Sequence, residues 1–172
     1  ALSPTELNAQ NVAIVLMADP SSEEANKAAD SVLTLAVNTF DKQTPLLNTI
    51  GAVRHLQGRF DAAEKIYRLA LIIEPDDLLT LNNLATLLAE NPAKLDEAMR
   101  LVDRGLELSP NSAGLKDTRA MILYYQGKFE DSRKLLEEIV GAGSTDARYR
   151  FHLALALWRR GALEEARREL AH

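Results

Sequence analysis

Two stretches of this chain decide its fold: residues 51–75, GAVRHLQGRFDAAEKIYRLALIIEP, and residues 85–110, ATLLAENPAKLDEAMRLVDRGLELSP. Both contain a small residue inside an apolar pattern of helical period, and polar turns bound each pattern. Small residues of this kind recur along the chain at intervals of 34, 35 and 34 residues, at Gly51, Ala85, Ala120 and Ala154. A fixed internal period of this length indicates stacked copies of one structural unit.

Each copy reads as two helices joined by a short turn. A second small residue follows the first after 12 or 13 positions, at Ala63, Ala98, Ser132 and Ala166. Small side chains at both places allow the backbones of two paired helices to approach closely. Larger residues fill the next layer, at Tyr67, Val102 and Leu136. Helix-breaking residues separate the two helices of each copy, at Gly58, Asn91-Pro92, Gly127 and Gly161.

This pattern resembles the tetratricopeptide repeat, a helix–turn–helix unit of about 34 residues with a small residue in its first helix, alanines in its second and a closing proline. Pro75 and Pro110 stand at the closing position of two copies, and Asn91–Ala93 contain one extra residue. The resemblance implies repeats at residues 44–77, 78–112 and 113–146, with a truncated repeat at 147–172. It further implies an all-α fold, a right-handed α-solenoid of antiparallel helix pairs forming one domain with about ten helices.

Residues 1–43 lack this signature but also predict helices. Capping boxes stand at residues 3–6 (SPTE) and 21–24 (SSEE), and apolar residues at helical spacing follow each of them. We interpret this segment as a divergent N-terminal helical hairpin or degenerate repeat of the same solenoid; a separate domain is the alternative.

Composition excludes several classes of function. The chain has 172 residues and a net charge of −5, the wrong sign for a protein that neutralises nucleic-acid phosphates. The longest apolar run, residues 12–18, is far shorter than the roughly 20 residues that span a bilayer. We therefore expect no nucleic-acid partner and no membrane insertion. The chain has no initiator Met, so we expect a domain excised from a longer protein. Its compartment stays undecided between cytoplasm, slightly favoured, and periplasm.

The sequence contains no strong candidate for a catalytic, metal-binding or phosphate-binding site. The three histidines, His55, His152 and His172, have no metal-ligand spacing, and the chain has no Cys. Residues 141–144 (GAGS) lack the Lys-Ser/Thr ending of a phosphate loop and occupy a turn between repeats. We therefore predict no catalytic residue, no metal and no cofactor, and a protein that is not an enzyme.

A solenoid of such repeats has a concave surface lined mainly by the first helices. Polarity falls along this predicted surface, because four of the nine aromatic residues fall in its last two repeats. Rigid aromatics and Met are favoured binding anchors. The predicted partner-binding residues are Asn48, Asn82, Asn83, Thr86, Met121, Tyr124, Tyr125, Phe151, Leu155, Trp158 and Arg159.

Three interpretations of the aromatic residues stay open at this stage. They form a pocket for an apolar side chain of a peptide or partner helix, or they are scaffold residues that a further helix covers, or they form a self-association surface. In the last repeat, arginines outnumber acidic residues, which indicates a solvated basic face. The alternative is that Arg148 and Arg159 border the aromatic residues and favour an acidic peptide.

Some tetratricopeptide domains hold the C-terminal carboxylate of heat-shock chaperones with Lys, Arg and Asn side chains. The places where the resemblance requires Lys, Asn, Asn, Lys and Arg hold Asn48, Ala52, Asn83, Gly114 and Thr118 here, so only Asn83 agrees. We therefore do not expect this clamp.

The predicted function is a non-enzymatic interaction scaffold that binds a peptide or helical segment of another protein on its concave face. The alternative is a structural spacer or self-assembly module within a larger multidomain protein, with a homodimer through the C-terminal repeat.

Overall fold

A computed structural model of the protein describes residues 22–24, 27–28, 31 and 43–171. The chain forms two compact units, residues 1–83 and 84–172. Residues 23–24, 27–28 and 31 are helical. Most of the hairpin predicted for residues 1–43 lies outside the described residues.

In the first unit, α1 (Gln43–Leu56) packs against α2 (Phe60–Ile73). The inner face of α2 buries Ala63, Tyr67 and Ala70. The backbone of α1 at Gly51 lies directly against the Tyr67 ring. A Cβ added at Gly51 would lie only 2.4 Å from Tyr67 Cε1. The absence of a side chain at Gly51 therefore makes room for the ring. A third helix, α3 (Leu78–Ala89), begins in this unit and ends in the second.

A polar network joins α1 to the start of α3. Asp77 Oδ2 accepts hydrogen bonds from the Thr80 backbone N–H at 2.8 Å and from the Thr80 hydroxyl at 2.6 Å. The side-chain amide of Asn48 donates to the same carboxylate oxygen at 3.0 Å and to Thr80 Oγ1 at 2.8 Å. Asp77 thus caps the N-terminus of α3 and holds the buried amide of Asn48.

The second unit contains the later helices. After a 3-10 helix (Pro92–Lys94) come α4 (Leu95–Leu108), α5 (Ala113–Tyr125), α6 (Phe129–Gly141), α7 (Ala147–Arg159) and α8 (Leu163–Leu170). Each helix from α4 onward packs against the next, and α5 also contacts α7. One core fills this region, and its buried members include Ala120, Leu136, Ile139, Leu153 and Leu157.

The turns confirm the predicted breakers. The backbone angle φ is +72° at Gly58, +77° at Gly127 and +81° at Gly161, the left-handed region that glycine adopts most readily. The turn after α3 differs, because Asn91 precedes the 3-10 helix and its side chain accepts a hydrogen bond from the Ala93 N–H at 3.0 Å. The extra residue in the sequence of this turn is accommodated by that 3-10 helix.

The residues that the structure describes form eight α-helices and no strand, which confirms the predicted all-α class. The predicted total of about ten counted further helices in residues 1–42, most of which lie outside the described residues. The helices pack in pairs over residues 43–73, 113–141 and 147–170. The repeat boundaries at 44–77, 78–112, 113–146 and 147–172 and the single solenoid domain stay predictions.

Gly51→Ala is expected to destabilise the protein by about 1–3 kcal/mol, because the new methyl group would collide with the buried Tyr67 ring. Urea denaturation followed by circular dichroism measures this. Gly114→Ala is the matched control, because Gly114 is also helical and a Cβ added there would meet nothing within 4 Å. The control should be nearly neutral or stabilising, since Ala favours a helix by up to about 1 kcal/mol over Gly. Equal losses in both variants would contradict the close approach at Gly51.

Asp77→Ala is expected to lower the free energy of unfolding by about 1–3 kcal/mol, because it removes a helix cap and leaves the Asn48 amide with one partner fewer. The same denaturation assay tests it. Glu74→Ala, at an exposed position three residues earlier, should change stability by less than about 0.5 kcal/mol. An Asp77 variant as stable as the Glu74 variant would exclude a structural role for the network.

Stability is also expected to fall at alkaline pH. Burial raises the pKa of Tyr67 to about 12, whereas an exposed Tyr titrates near pH 10. Between these pH values the unfolded chain loses a proton that the folded chain keeps, so the free energy of unfolding decreases as the pH rises. We expect a loss of about 1 kcal/mol between pH 9 and pH 11 that Tyr67→Phe abolishes. An identical loss in the Phe variant would assign it to other groups.

Candidate functional site

Aromatic rings and one guanidinium form a continuous row across α5, α6 and α7. The rings of Tyr125 and Tyr124 meet edge to face at 5.7 Å between centroids, and Tyr124 meets Phe129 at 5.3 Å. The Arg159 guanidinium carbon lies 4.9 Å from the centroid of Phe129 and 5.9 Å from that of Trp158. We call these five residues the aromatic row. Their contacts have the geometry of favourable aromatic and cation–π pairs.

The two ends of the aromatic row are accessible. Tyr125 is 51% exposed and Trp158 is 54% exposed, whereas Tyr124 and Phe129 are half-buried between them. Partial burial raises the pKa of Tyr125, and the neighbouring Glu90 and Tyr124 add to the effect. The Tyr125 hydroxyl can serve as a hydrogen-bond donor.

An apolar groove lies between α7 and α8. It has a volume of about 310 Å³, and Arg167 is its only charged lining residue. Phe151, Leu163 and Leu170 are half or more exposed along it, whereas Ala154 and Ala166 are buried. We call this the terminal groove; it is lined by Phe151, Ala154, Leu155, Trp158, Leu163, Ala166, Arg167 and Leu170.

The structure brings together most of the aromatic residues predicted to bind a partner. Tyr124, Tyr125, Trp158 and Arg159 belong to the aromatic row. Phe151 and Leu155 line the terminal groove, and Trp158 belongs to both surfaces. Met121 is half-buried on α5, one turn before Tyr125.

The polar residues predicted to bind a partner are placed differently. Asn48 is only 4% exposed, and its amide group donates within the chain, to Asp77 and Thr80. Asn82 and Asn83 are half-buried, and Thr86 is exposed. Asn48, Asn82 and Asn83 belong to the first unit and the aromatic residues to the second. A single binding face that contains both groups stays a prediction.

Sequence reasoning missed Phe129 and the α8 side of the terminal groove. Phe129 bridges Tyr124 and Arg159 although it belongs to a second helix of a pair. Leu163, Ala166 and Leu170 follow each other at i, i+3 and i+7, which places them on one side of α8. This apolar spacing is visible in the sequence. It lies on the second helix of a pair, whereas the predicted binding residues come from first helices.

Most arginines of the last two helices have carboxylate partners. Arg148 pairs with Asp146 at 2.6 Å and stacks on Tyr149, and this pairing lowers the pKa of Asp146. Similar pairs join Arg150 to Glu169, Arg160 to Glu130 and Arg167 to Glu164. Arg159 instead lies against the rings of the aromatic row. Of the two arginines expected beside the aromatic residues, Arg159 therefore joins the row, whereas Arg148 contacts Asp146 and Tyr149.

His152 has a packing role. Its Nδ1 lies 2.7 Å from Asp117 Oδ1, which joins α7 to α5. Within the described ranges, no three His, Asp or Glu side chains are grouped so that they could hold a metal ion. None of the helices that the structure describes has the length and apolar character needed to cross a membrane.

Part of the chain matches a known family model. Residues 118–171 match the model of the tetratricopeptide repeat. A TPR repeat-containing protein of Pseudomonas aeruginosa is 25% identical over 118 residues, which are 69% of this chain and 20% of that protein. The human protein O-mannosyl-transferase TMTC2 is 39% identical over 62 residues, 36% of this chain and 7% of that protein. The chain thus spans a fifth or less of the length of these relatives.

Solved structures share the fold at low sequence identity. PilW, a type IV pilus biogenesis factor, has a TM-score of 0.78 at 18% identity, with 98% of this chain and 76% of PilW covered. The thermophilic TPR protein TTC0263 of Thermus thermophilus has a TM-score of 0.77 at 18% identity, with 96% and 88% covered. These likenesses confirm the predicted fold class, the α-solenoid. Residues 118–171 match the tetratricopeptide repeat model, and the chain has the fold of these solved tetratricopeptide repeat structures.

Proposed function

We propose that this protein is a non-enzymatic scaffold that binds a peptide or helical segment of a partner protein on its concave face, at the aromatic row. The single observation that carries this proposal is the accessibility of Tyr125 and Trp158 at the two ends of a row whose middle members hold each other in place. The match of residues 118–171 to the tetratricopeptide repeat, a family of protein-binding repeats, supports the general role.

Rigid rings suit this task. Tyr and Trp offer a large contact area and lose little conformational entropy on binding, since each has only two side-chain torsions. The contacts of Tyr124 with Phe129, and of Arg159 with Phe129, restrain the row before a partner arrives. A preorganised surface of this kind loses less conformational entropy when it binds a partner.

Arg159 adds a preference for negative charge. Its guanidinium stacks on rings and, among the described residues, pairs with no carboxylate, unlike Arg148, Arg150 and Arg160. A planar guanidinium can receive a carboxylate in its plane while a ring covers its face. We therefore expect a segment with an apolar side chain beside Trp158 and an acidic residue near Arg159.

Tyr125→Ala and Trp158→Ala are each expected to weaken partner binding at least tenfold, or about 1.4 kcal/mol, because they remove exposed anchors without removing core contacts. Partners captured from a lysate of the source organism by the wild-type protein, and identified by mass spectrometry, supply the ligand for titration. Tyr124→Ala, which takes a ring out of the middle of the row, should also weaken binding.

Leu108→Ala is the matched control, because Leu108 is 49% exposed at the end of α4 and belongs to neither surface. It should bind like the wild type, and all variants should keep their helix content. If Tyr125→Ala and Trp158→Ala both bind as tightly as Leu108→Ala, the aromatic row is not the binding surface.

A self-assembly or spacer module is the second candidate, and the exposure of Trp158, Leu163 and Leu170 beside one another favours it. Light scattering over a range of concentrations distinguishes the two functions. A stable dimer that Trp158→Glu abolishes supports self-assembly, whereas a monomer at all concentrations supports the scaffold.

A further inference from the structure

The outer face of α2, in the first unit, carries three exposed apolar side chains. The inner face of this helix packs against α1. On the outer face, Ile72 is 76% exposed, Leu69 is 43% exposed and Ile73 is 40% exposed. They stand at positions i+3, i and i+4, so their side chains are neighbours on the helix surface. We call these three residues the α2 patch.

The repeat itself does not require apolar residues at two of these positions. On α4, Arg104 and Glu107 stand 35 residues after Leu69 and Ile72. On α6, a glutamate and a glycine occupy the same two places. Single exposed apolar residues are common on protein surfaces, but a contiguous apolar patch marks an interaction site. The α2 patch is therefore a feature of this repeat alone among the three, and packing within the chain does not explain it.

Opposite charges lie at the two ends of the α2 patch. Lys65 stands one turn before Leu69, and Glu74 directly follows Ile73 at the end of the helix. Both are exposed, and among the described residues neither has an oppositely charged group within ion-pair distance. Since a helix rises about 1.5 Å per residue, the two charges lie roughly 13 Å apart along the helix axis.

The other charged side chains beside the patch are arranged differently. The Arg68 guanidinium is held by Glu64 of the same helix at 2.8 Å. Asp76 lines an open hollow together with Ile73 and Glu74, so the end of the patch at Ile73 is acidic. The uncompensated charges are thus basic at the first end and acidic at the second.

This order of basic group, apolar surface and acidic group is complementary to itself. In a two-fold symmetric contact, one surface meets an identical copy of itself. When two copies of α2 pack antiparallel, each Lys65 lies opposite the Glu74 of the other copy, and Leu69, midway between them in sequence, meets its own copy. A wholly acidic or wholly basic partner segment would instead place a like charge against one end of the patch.

We propose that the α2 patch is the interface of a symmetric homodimer of this chain, in which two α2 helices pack antiparallel with Leu69 and Ile72 at the centre and ion pairs between Lys65 and Glu74 at both ends. This interface differs from the C-terminal self-association surface considered above, and it does not depend on partner binding at the aromatic row. Its apolar centre is small, so the dimer is weak and dissociates on dilution.

Sedimentation velocity over a wide range of protein concentrations measures the dimer. Ile72→Glu should raise the dimer dissociation constant at least tenfold, because it places two carboxylates in the centre of the apolar contact. This variant should keep its helix content, since α4 carries Glu107 at the equivalent position. Leu108→Glu is the matched control: Leu108 is an exposed apolar residue of α4, 35 positions after Ile73, and its variant should dimerise like the wild type.

Charge reversal tests the antiparallel arrangement. Lys65→Glu and Glu74→Lys each bring like charges together at both ends of the interface, and each should weaken the homodimer at least tenfold. The double variant, with both substitutions in one chain, should dimerise like the wild type. An equimolar mixture of the two single variants should form a heterodimer, because one chain then presents two carboxylates and the other two ammonium groups. Added salt should weaken this heterodimer.

The contrary outcomes are equally definite. A wild-type chain that stays monomeric at every concentration overturns the proposal, and so does a dimer that Ile72→Glu leaves intact. A dimer that dissociates in Trp158→Glu but not in Ile72→Glu belongs to the C-terminal surface. Failure of both the double variant and the mixture to dimerise, where the wild type does, rejects the antiparallel arrangement.

Discussion

Close approach between paired helices is the constraint on which this structure depends. At Gly51 the backbone of α1 leaves no room for a side chain, because the ring of the buried Tyr67 occupies that space. In the second unit, Ala85, Ala98 and Ala120 are likewise fully buried. The side chains between two helices set the distance between their axes, so small residues at these places allow the helices to pack closely. The small residues recur every 34 or 35 positions, so the same close packing is repeated along the chain.

The surfaces available to a partner follow from that packing. α7 uses Tyr149, Leu153, Ala156 and Leu157 toward α5 and α6. A helix has about 3.6 residues per turn, so Phe151, Leu155 and Trp158, which lie off this stripe, point in other directions. Two of them, Phe151 and Trp158, are large rings that are about half exposed, and both line the terminal groove.

Charged and polar contacts divide into two kinds. Arg133 pairs with Glu130 and Glu137 on the same helix, and these hydrogen bonds raise the pKa of Arg133; exposed pairs of this kind contribute little stability. Contacts between different helices have another role, because they determine which helices pack together. Asp77 with Asn48 in the first unit, and Asp117 with His152 in the second, connect helices that are distant in sequence and so specify which helix packs where.

The sequence by itself determined the helices and the turns at Gly58, Gly127 and Gly161, because helical period and glycine conformation are local properties that each residue expresses within its own turn. The 34-residue period also placed Tyr124 and Tyr125 in the same repeat positions as Trp158 and Arg159. Only the tertiary structure decided that the amide of Asn48 donates to Asp77 instead of facing a partner, that Phe129 bridges the aromatic row, and that α8 completes the terminal groove. These depend on distances between side chains of different helices, and a repeat period specifies the order of helices along the chain but not which of their side chains meet.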